Sequence, residues 1–259
     1  MNIDLLSADV VTLFGFAFWH AAIVFLRVGA MVSVLPAVGE AYVPTPVKLG
    51  IAMAFTLIVA PAAPVQNPPD GVLDYAGIAV SEAIIGLALG LAVRIFVFTL
   101  QTAGTIAANS TSLSQAFGTA GQEPMPVIGG FLVVAGVTFA VIMGLHIRVA
   151  EYMIQSYQLF PVGEFPEASG LLQWIVQRVS QSYTMAFALA APFVITAVVY
   201  NITLGFINKA MPQLMVAFVG APAITFGGIF ILMVASPMIL TYWGEALFGF
   251  FKNPVGALQ

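Results

Sequence analysis

Six long apolar segments, separated by short connectors, constrain this chain more than any other feature. They cover approximately residues 11–35, 47–65, 72–101, 127–150, 179–207 and 213–243. A helix that crosses a bilayer needs roughly 20 apolar residues, and runs of this length are too long for strands. The sequence therefore predicts an all-α protein of the integral-membrane type, built from helical hairpins. No polar linker divides it, so we expect a single domain over residues 1–259.

The composition excludes several classes of protein. Hydrophobic residues make up 61% of the chain and charged residues only 7%, against about 45–50% and about 25% in soluble domains. Seven Lys and Arg residues are too few for a nucleic-acid-binding face. Cysteine is absent, which rules out disulfides and thiolate chemistry. Two acids and no cation precede the first apolar run, so we expect that run to remain in the mature protein.

Prolines in the last two segments predict broken helices. They stand at positions 192, 212, 222 and 237. Only residues 213–221 lie between the second and the third proline, which at about 1.5 Å per residue is roughly half a membrane span. Such interruptions are typical of membrane proteins that build a pathway or a tight assembly. We also expect the polar region 151–178 to emerge into water.

Charged residues inside or beside the apolar segments are candidate functional positions. These candidates are Arg27, Lys48, Glu82, Arg94, Arg148, Glu151 and Lys209. One interpretation is a proton or ion path, and the other is a set of ion pairs that fix helix register or meet another subunit. We favour the second, because the sequence contains no repeated series of acids and histidines.

Helical spacing separates the pairs that can form locally from those that cannot. Glu82 and Arg94 lie roughly 120° apart around one helix, so each needs a partner elsewhere. Arg148 and Glu151 are three residues apart and can pair on one face. Small residues recur four apart at positions 86 and 90, and again at 136, 140 and 144. This spacing allows helices to approach closely, and we expect close packing for the second set.

Catalytic signatures are absent from the sequence. It contains no H-E-x-x-H, P-loop or G-x-S-x-G motif, so we predict a protein that is not an enzyme and has no metal and no cofactor. A small-molecule or ion transporter is the main alternative. That class commonly carries an internal repeat, and residues 1–110 show no convincing similarity to 127–240. A membrane scaffold without a passage is a third possibility.

The middle of the chain holds a neutral stretch, residues 109–126, between two apolar segments. Glu123 is its one charge and Phe117 its one aromatic residue, and Gly and Pro interrupt any helix through it. At membrane depth, irregular backbone persists only when it is buried in protein or lines a wet cavity. The stretch is therefore either an ordinary solvent loop or a segment that lines or closes a passage.

Three stretches together resemble the FliR family of the type III secretion export apparatus. The first covers residues 25–61 and includes F-L-R-V-G-A-M and P-T-P-V-K-L-G. The second is the central region 103–127, which lacks the acidic residue expected shortly after Phe117. The third covers 204–223 and includes N-K-A-M-P-Q-L. Order, spacing and length match over nearly the whole chain.

The resemblance implies a subunit of the flagellar protein export gate in the bacterial inner membrane, within the flagellar basal body. Such a subunit is packed in a hetero-oligomeric core with FliP and FliQ, and FlhB associates with that core. The core passes unfolded flagellar export substrates. The SctT family of injectisomes is similar in plan, and the third stretch favours the flagellar version.

The resemblance also implies that the central stretch plugs the channel. Carried over by position, the plug residues are Ser110, Thr111, Ser112, Leu113, Ser114, Gln115, Ala116, Phe117, Gly118, Thr119 and Met125. Small neutral side chains rearrange easily, and a Phe or a Met seals a constriction by displacing water. We expect Phe117 and Met125 to be the bulky residues nearest the passage.

Overall fold

The computed structural model describes residues 3–65, 68–69, 71–111, 127–211 and 216–254. Within these ranges the chain forms seven α-helices and no strand, which confirms the all-α prediction. The helices are α1 (Ile3–Val34), α2 (Thr45–Val59), α3 (Val72–Thr111), α4 (Val127–Ile142), α5 (Leu145–Leu159), α6 (Ala168–Ala210) and α7 (Val216–Lys252). A short 3₁₀ turn, Ala60–Ala62, follows α2.

Five of the helices are long and apolar enough to cross a membrane. They are α1, α2 with its 3₁₀ turn, α3, α6 and α7, and the bent pair α4 and α5 counts as a sixth span if it is taken as one. Each of the six predicted segments therefore corresponds to a helix or a helix pair. Residues Pro44 and Pro46 set the start of α2, where the missing N–H groups cost nothing.

The prediction that prolines break the last two segments is wrong for the described residues. Pro192 lies inside α6, and Pro222 and Pro237 lie inside α7, while residue 212 falls outside the described ranges. Helices in an apolar environment tolerate proline, because leaving the helix would expose still more unpaired backbone groups. The break occurs instead between α4 and α5, where Gly144 has a left-handed φ of 89°.

The prediction that residues 151–178 form a polar connector is also wrong. Helix α5 continues to Leu159 and α6 begins at Ala168, which leaves 160–167 as the connector. Tyr152, Met153 and Tyr157 are buried although the segment contains several polar residues. The sequence average is polar because one face of α5 carries the exposed groups and the other carries the core residues.

The chain divides into two compact units. The first comprises Met1–Arg94, Gly144–Ile175 and Asn253–Gln259, and the second comprises Ile95–Met143 and Val176–Lys252. In the first unit α1 packs closely on α3. A Cβ atom added at Gly86 would meet Ala30 Cβ at 2.9 Å, and one added at Gly90 would meet the Met31 carbonyl at 2.7 Å. The first small-residue pair thus mediates close helix packing.

In the second unit, α3, α4, α6 and α7 share a core. Trp243 is buried and donates from Nε1 to the Phe96 carbonyl at 2.7 Å. A hydrogen bond of 2.7 Å joins the hydroxyls of Thr99 and Ser182. Gly136 lies against Leu100 and Trp243, so close packing is confirmed there. It is wrong for Gly144, which sits in the α4–α5 turn rather than on the packed face.

Large apolar side chains remain exposed on several helices. The helices differ in how many residues are buried in their most apolar part. The share is 17% in α2, 28% in α6 and 17% in α7, against 56% in α3. Exposed examples include Phe187, Ile202, Phe226, Phe230 and Met238. Apolar surface of this extent requires a lipid or protein covering rather than water.

Candidate functional site

A fully buried ion pair links α1 and α3 in the first unit. Arg27 donates from Nε to Glu82 Oε2 at 2.7 Å and from Nη2 to Oε1 at 2.8 Å. The two side chains are 2% and 0% exposed. This bidentate arrangement is the strongest geometry available to a guanidinium and a carboxylate. It explains how a 40-residue apolar helix accommodates a buried carboxylate in its third turn.

Further groups complete the surroundings of the pair. Arg27 Nη1 donates to Ser156 Oγ at 3.3 Å, and the Gly163 N–H donates to Glu82 Oε1 at 3.3 Å. The guanidinium carbon lies 4.0 Å from the ring centroid of Tyr157. Together these residues connect α1, α3, α5 and the connector after α5. We call Arg27, Glu82, Ser156, Tyr157 and Gly163 the buried polar cluster.

The buried polar cluster is arranged to hold helices rather than to carry protons. Both carboxylate oxygens of Glu82 already accept hydrogen bonds from Arg27, and an arginine does not release its proton in proteins. A buried pair of this kind is costly to break, because either partner alone would be an uncompensated charge. The geometry therefore fits the interpretation in which ion pairs fix helix register.

The other predicted charges occupy more exposed positions. Arg94 donates from Nη1 to the Val34 carbonyl at 3.2 Å and from Nη2 to Glu40 Oε2 at 3.4 Å, and both side chains of this ion pair are 25% exposed. Lys48 donates to the Gly39 carbonyl at 3.1 Å. These contacts fasten the turn between α1 and α2 to the helices beside it.

The pair predicted within α5 is present. Arg148 Nη1 lies 2.9 Å from Glu151 Oε2, and both side chains are about half exposed. An exposed pair three residues apart contributes little to stability. Lys209 is exposed in the last turn of α6, where a cation is favoured by the helix dipole.

The central neutral stretch falls almost wholly outside the described residues. Ser110 and Thr111 form the end of α3, and Ser110 Oγ donates to the Ala107 carbonyl at 2.7 Å. The remaining predicted plug residues, Ser112, Leu113, Ser114, Gln115, Ala116, Phe117, Gly118, Thr119 and Met125, lie beyond the described ranges. Their assignment as a plug stays a prediction.

Sequence reasoning missed most of the buried polar cluster. From the sequence, Ser156, Tyr157 and Gly163 belong to the polar region 151–178 that we expect in water. The P-V-G-E run around Gly163 does signal a turn, and Gly163 has a φ of 78°. No local signal links that turn to Glu82, because the two residues are 81 positions apart.

Across the described ranges, no group of three or more His, Asp or Glu side chains is placed to hold a metal ion. The titratable groups that do come together are the ion pairs already described. They orient helices and connectors, and their chemistry is that of hydrogen bonding and charge pairing.

Comparison with known proteins extends across nearly the whole chain. Residues 18–249 match the family model described as bacterial export proteins, family 1. The chain is 31% identical over 236 residues to flagellar biosynthetic protein FliR of Caulobacter vibrioides, covering 89% of this chain and 93% of that protein. It is 27% identical over 219 residues to FliR of Escherichia coli, covering 84% of each chain.

A third relative provides a similar match. FliR of Bacillus subtilis is 27% identical over 207 residues, which is 77% of this chain and 79% of that protein. The matched region includes most of both compact units, the buried polar cluster and the central neutral stretch. The chain therefore belongs to the family of bacterial export proteins, family 1, which it shares with flagellar biosynthetic protein FliR.

Proposed function

We propose that this chain is a subunit of the flagellar type III protein export gate, without enzymatic activity. It helps to form and to close the channel through which unfolded flagellar substrates leave the cytoplasm. It acts in the bacterial inner membrane, within the flagellar basal body. The whole of residues 1–259 serves as one gate subunit, assembled with FliP and FliQ and associated with FlhB.

The observation that carries this proposal is the length of the match to flagellar relatives. FliR proteins from three bacteria align with 77–89% of the chain, so the likeness is not confined to one helix or motif. These relatives are flagellar, which favours the flagellar system over an injectisome. The transporter alternative lacks comparable support, since residues 1–110 show no convincing similarity to 127–240.

The surface of the chain supports assembly with other subunits. Helices α2, α6 and α7 expose most of their apolar side chains, while the charges of the buried polar cluster are closed within the first unit. A subunit that covers such helices with neighbouring chains needs few cationic loops to orient it in lipid. The connectors between the long helices indeed hold few cations.

We further propose that the neutral stretch from Ser110 to Met125 closes the passage, with Phe117 and Met125 as its bulky sealing residues. Support comes from its composition: eleven of the sixteen side chains from 110 to 125 are Ser, Thr, Gly, Ala or Gln, and one is charged. A neutral, small-residue segment can rearrange without holding a charged polypeptide tightly.

Co-purification from the native membrane tests this function. A tagged full-length chain, extracted in mild detergent, should bring FliP and FliQ with it in one stable complex. A variant that disrupts the buried polar cluster, Glu82→Gln, should bring down much less of both, and the exposed-pair variant Glu151→Gln serves as control. Recovery of the parent chain alone, monodisperse and folded, would contradict the proposal.

A further inference from the structure

The last turns of α3 carry a polar face that the structure leaves uncovered. Gln101, Thr105 and Asn109 follow one another at four-residue intervals, which places them along one side of the helix. Gln101 and Asn109 are exposed, and Thr105 is partly exposed. We call these three residues the α3 polar face. All three belong to the second compact unit.

The opposite side of the same turns is fixed in the core. Leu100, Ala103 and Ala107 are each at most 1% exposed. Gly104 lies so close to Gly129 that an added Cβ atom would collide with the backbone of α4. Because the helix is held on that side, rotation cannot carry the α3 polar face inward, and this face remains on the surface of the unit.

The two amides make lipid an unfavourable neighbour for this face. Among the described residues, neither the Gln101 nor the Asn109 side chain has a hydrogen-bond partner. Thr105 is different, because its hydroxyl donates to the Gln101 carbonyl at 2.9 Å and is thereby satisfied. An amide that faces hydrocarbon loses its hydrogen bonds to water without replacement. Water or a polar partner must therefore meet Gln101 and Asn109.

Exposed positions on α4 and α7 of the second unit have a different character. Val134 on α4 and Met233 on α7 are 68% and 66% exposed. Neither side chain can donate a hydrogen bond to water. Their surroundings on α4 and α7 include exposed Phe131, Phe230 and Val234. These apolar surfaces suit lipid or a neighbouring subunit, so the α3 polar face is distinct from them in the environment it requires.

We propose that the α3 polar face lines the aqueous passage that an unfolded polypeptide follows. This inference rests on the proposed export function and names a wall of the passage. The face carries no charge, so it does not select between acidic and basic substrates. Its amides can donate to carbonyls and accept from N–H groups of a passing backbone. Asn109 is also the first residue of the neutral stretch, and α3 continues to Thr111 within it.

Cysteine accessibility tests the inference well, because the natural chain contains no cysteine. The variants Gln101→Cys and Asn109→Cys probe the α3 polar face, and Val134→Cys and Met233→Cys are controls at positions that the chain itself also leaves exposed. Each full-length variant is assembled into the native export complex. A membrane-impermeant, negatively charged thiol reagent is applied from both sides of the membrane, and labelling of this chain is followed with time.

The expected result is fast labelling at positions 101 and 109. Labelling at 134 and 233 should be at least about ten-fold slower, because apolar surroundings suppress the reactive thiolate. A substrate stalled in the passage should then slow labelling at 101 and 109 several-fold and leave the controls unchanged. Equal rates at all four positions would overturn the inference, as would unreactive cysteines on the α3 polar face.

Two outcomes separate this inference from the proposed function. If 101 and 109 are labelled quickly but a stalled substrate gives no protection, the face is wet yet lies outside the passage, and the inference is wrong. If these variants export substrates normally while their cysteines stay unreactive, the export function stands and the α3 polar face has another neighbour. The proposed export function would itself be wrong if cells that lack the chain exported flagellar proteins normally.

Discussion

At the scale of single residues, substitution of one partner of the Arg27–Glu82 pair is expected to destabilise the protein strongly. Both side chains are buried and share two hydrogen bonds of 2.7 and 2.8 Å. Replacing one partner leaves the other charged in a place that water does not reach. In such a pair each charge compensates the other, and the pair as a whole makes only a small net contribution to stability.

We predict that Glu82→Gln lowers the stability of the protein by about 3–5 kcal/mol. The midpoint of thermal unfolding in detergent should fall, and less complex should accumulate in the membrane. Replacing both partners, Arg27→Met with Glu82→Leu, should restore much of the loss because no charge is then left alone. The exposed pair provides the control, since Glu151→Gln should change stability by less than about 1 kcal/mol.

A second prediction concerns Ala37, a non-glycine residue with a positive φ of 71° in the turn after α1. A left-handed backbone costs an L-residue roughly 1–2 kcal/mol, and glycine avoids this cost. We expect Ala37→Gly to leave the unfolding midpoint unchanged or to raise it. We expect Ala37→Val to lower it, because a β-branched side chain fits this region poorly. If the unfolding midpoint of Ala37→Gly were lower than that of Ala37→Val, the backbone at Ala37 would not be strained.

At the scale of the elements, the contact between α1 and α3 depends on glycine. A Cβ atom at Gly86 would collide with the Arg27 carbonyl and with Ala30, whereas one at Gly77 of the same helix would meet nothing within 4 Å. The backbone of α1 cannot move aside as a flexible side chain would. Separation of the two helices would also pull apart the ion pair that lies beside the contact.

We therefore predict that Gly86→Ala destabilises the protein by about 1–3 kcal/mol, as overpacked cores do. The matched variant Gly77→Ala should be neutral or should stabilise α3 by about 0.5–1 kcal/mol, because alanine favours the helix. Thermal unfolding of both variants under identical detergent conditions measures the difference. A Gly86→Ala protein as stable as Gly77→Ala would show that α1 and α3 are not closely packed there.

The elements were also the part of the fold most open to sequence prediction. Length and apolarity identify every long helix, and helical spacing predicts the Arg148–Glu151 pair, since both signals are local. The sequence does not predict the break at Gly144. Its prolines predict breaks at other positions, but apolar helices tolerate proline. The sequence also does not predict that Arg27 pairs with Glu82. The two residues lie 55 positions apart, and no local pattern connects them.

At the scale of the whole molecule, large apolar side chains are exposed on several helices, while the Arg27–Glu82 pair is closed within the first unit. The long, apolar surfaces of α2, α6 and α7 suit burial against lipid or other subunits. The polar end of α3 leads to the neutral central stretch. This distribution supports the proposed place of the chain at the wall of a protein-conducting passage. The apolar content of 61% already predicts that the helices are covered by lipid or protein.

The most direct test of the gate assignment is the seal of the assembled complex after a deletion in the neutral stretch. Removing part of residues 112–123 should leave assembly with the partner subunits intact, because the described residues of α3 and α4, which pack in the core of the second unit, are all retained. A shortened connector between α2 and α3 serves as the control. Conductance of the resting complex in the membrane is the measurement. We predict a leak of ions or small solutes in the 112–123 deletion only, and a deletion complex that seals as tightly as the parent would contradict the role of this chain in closing the channel.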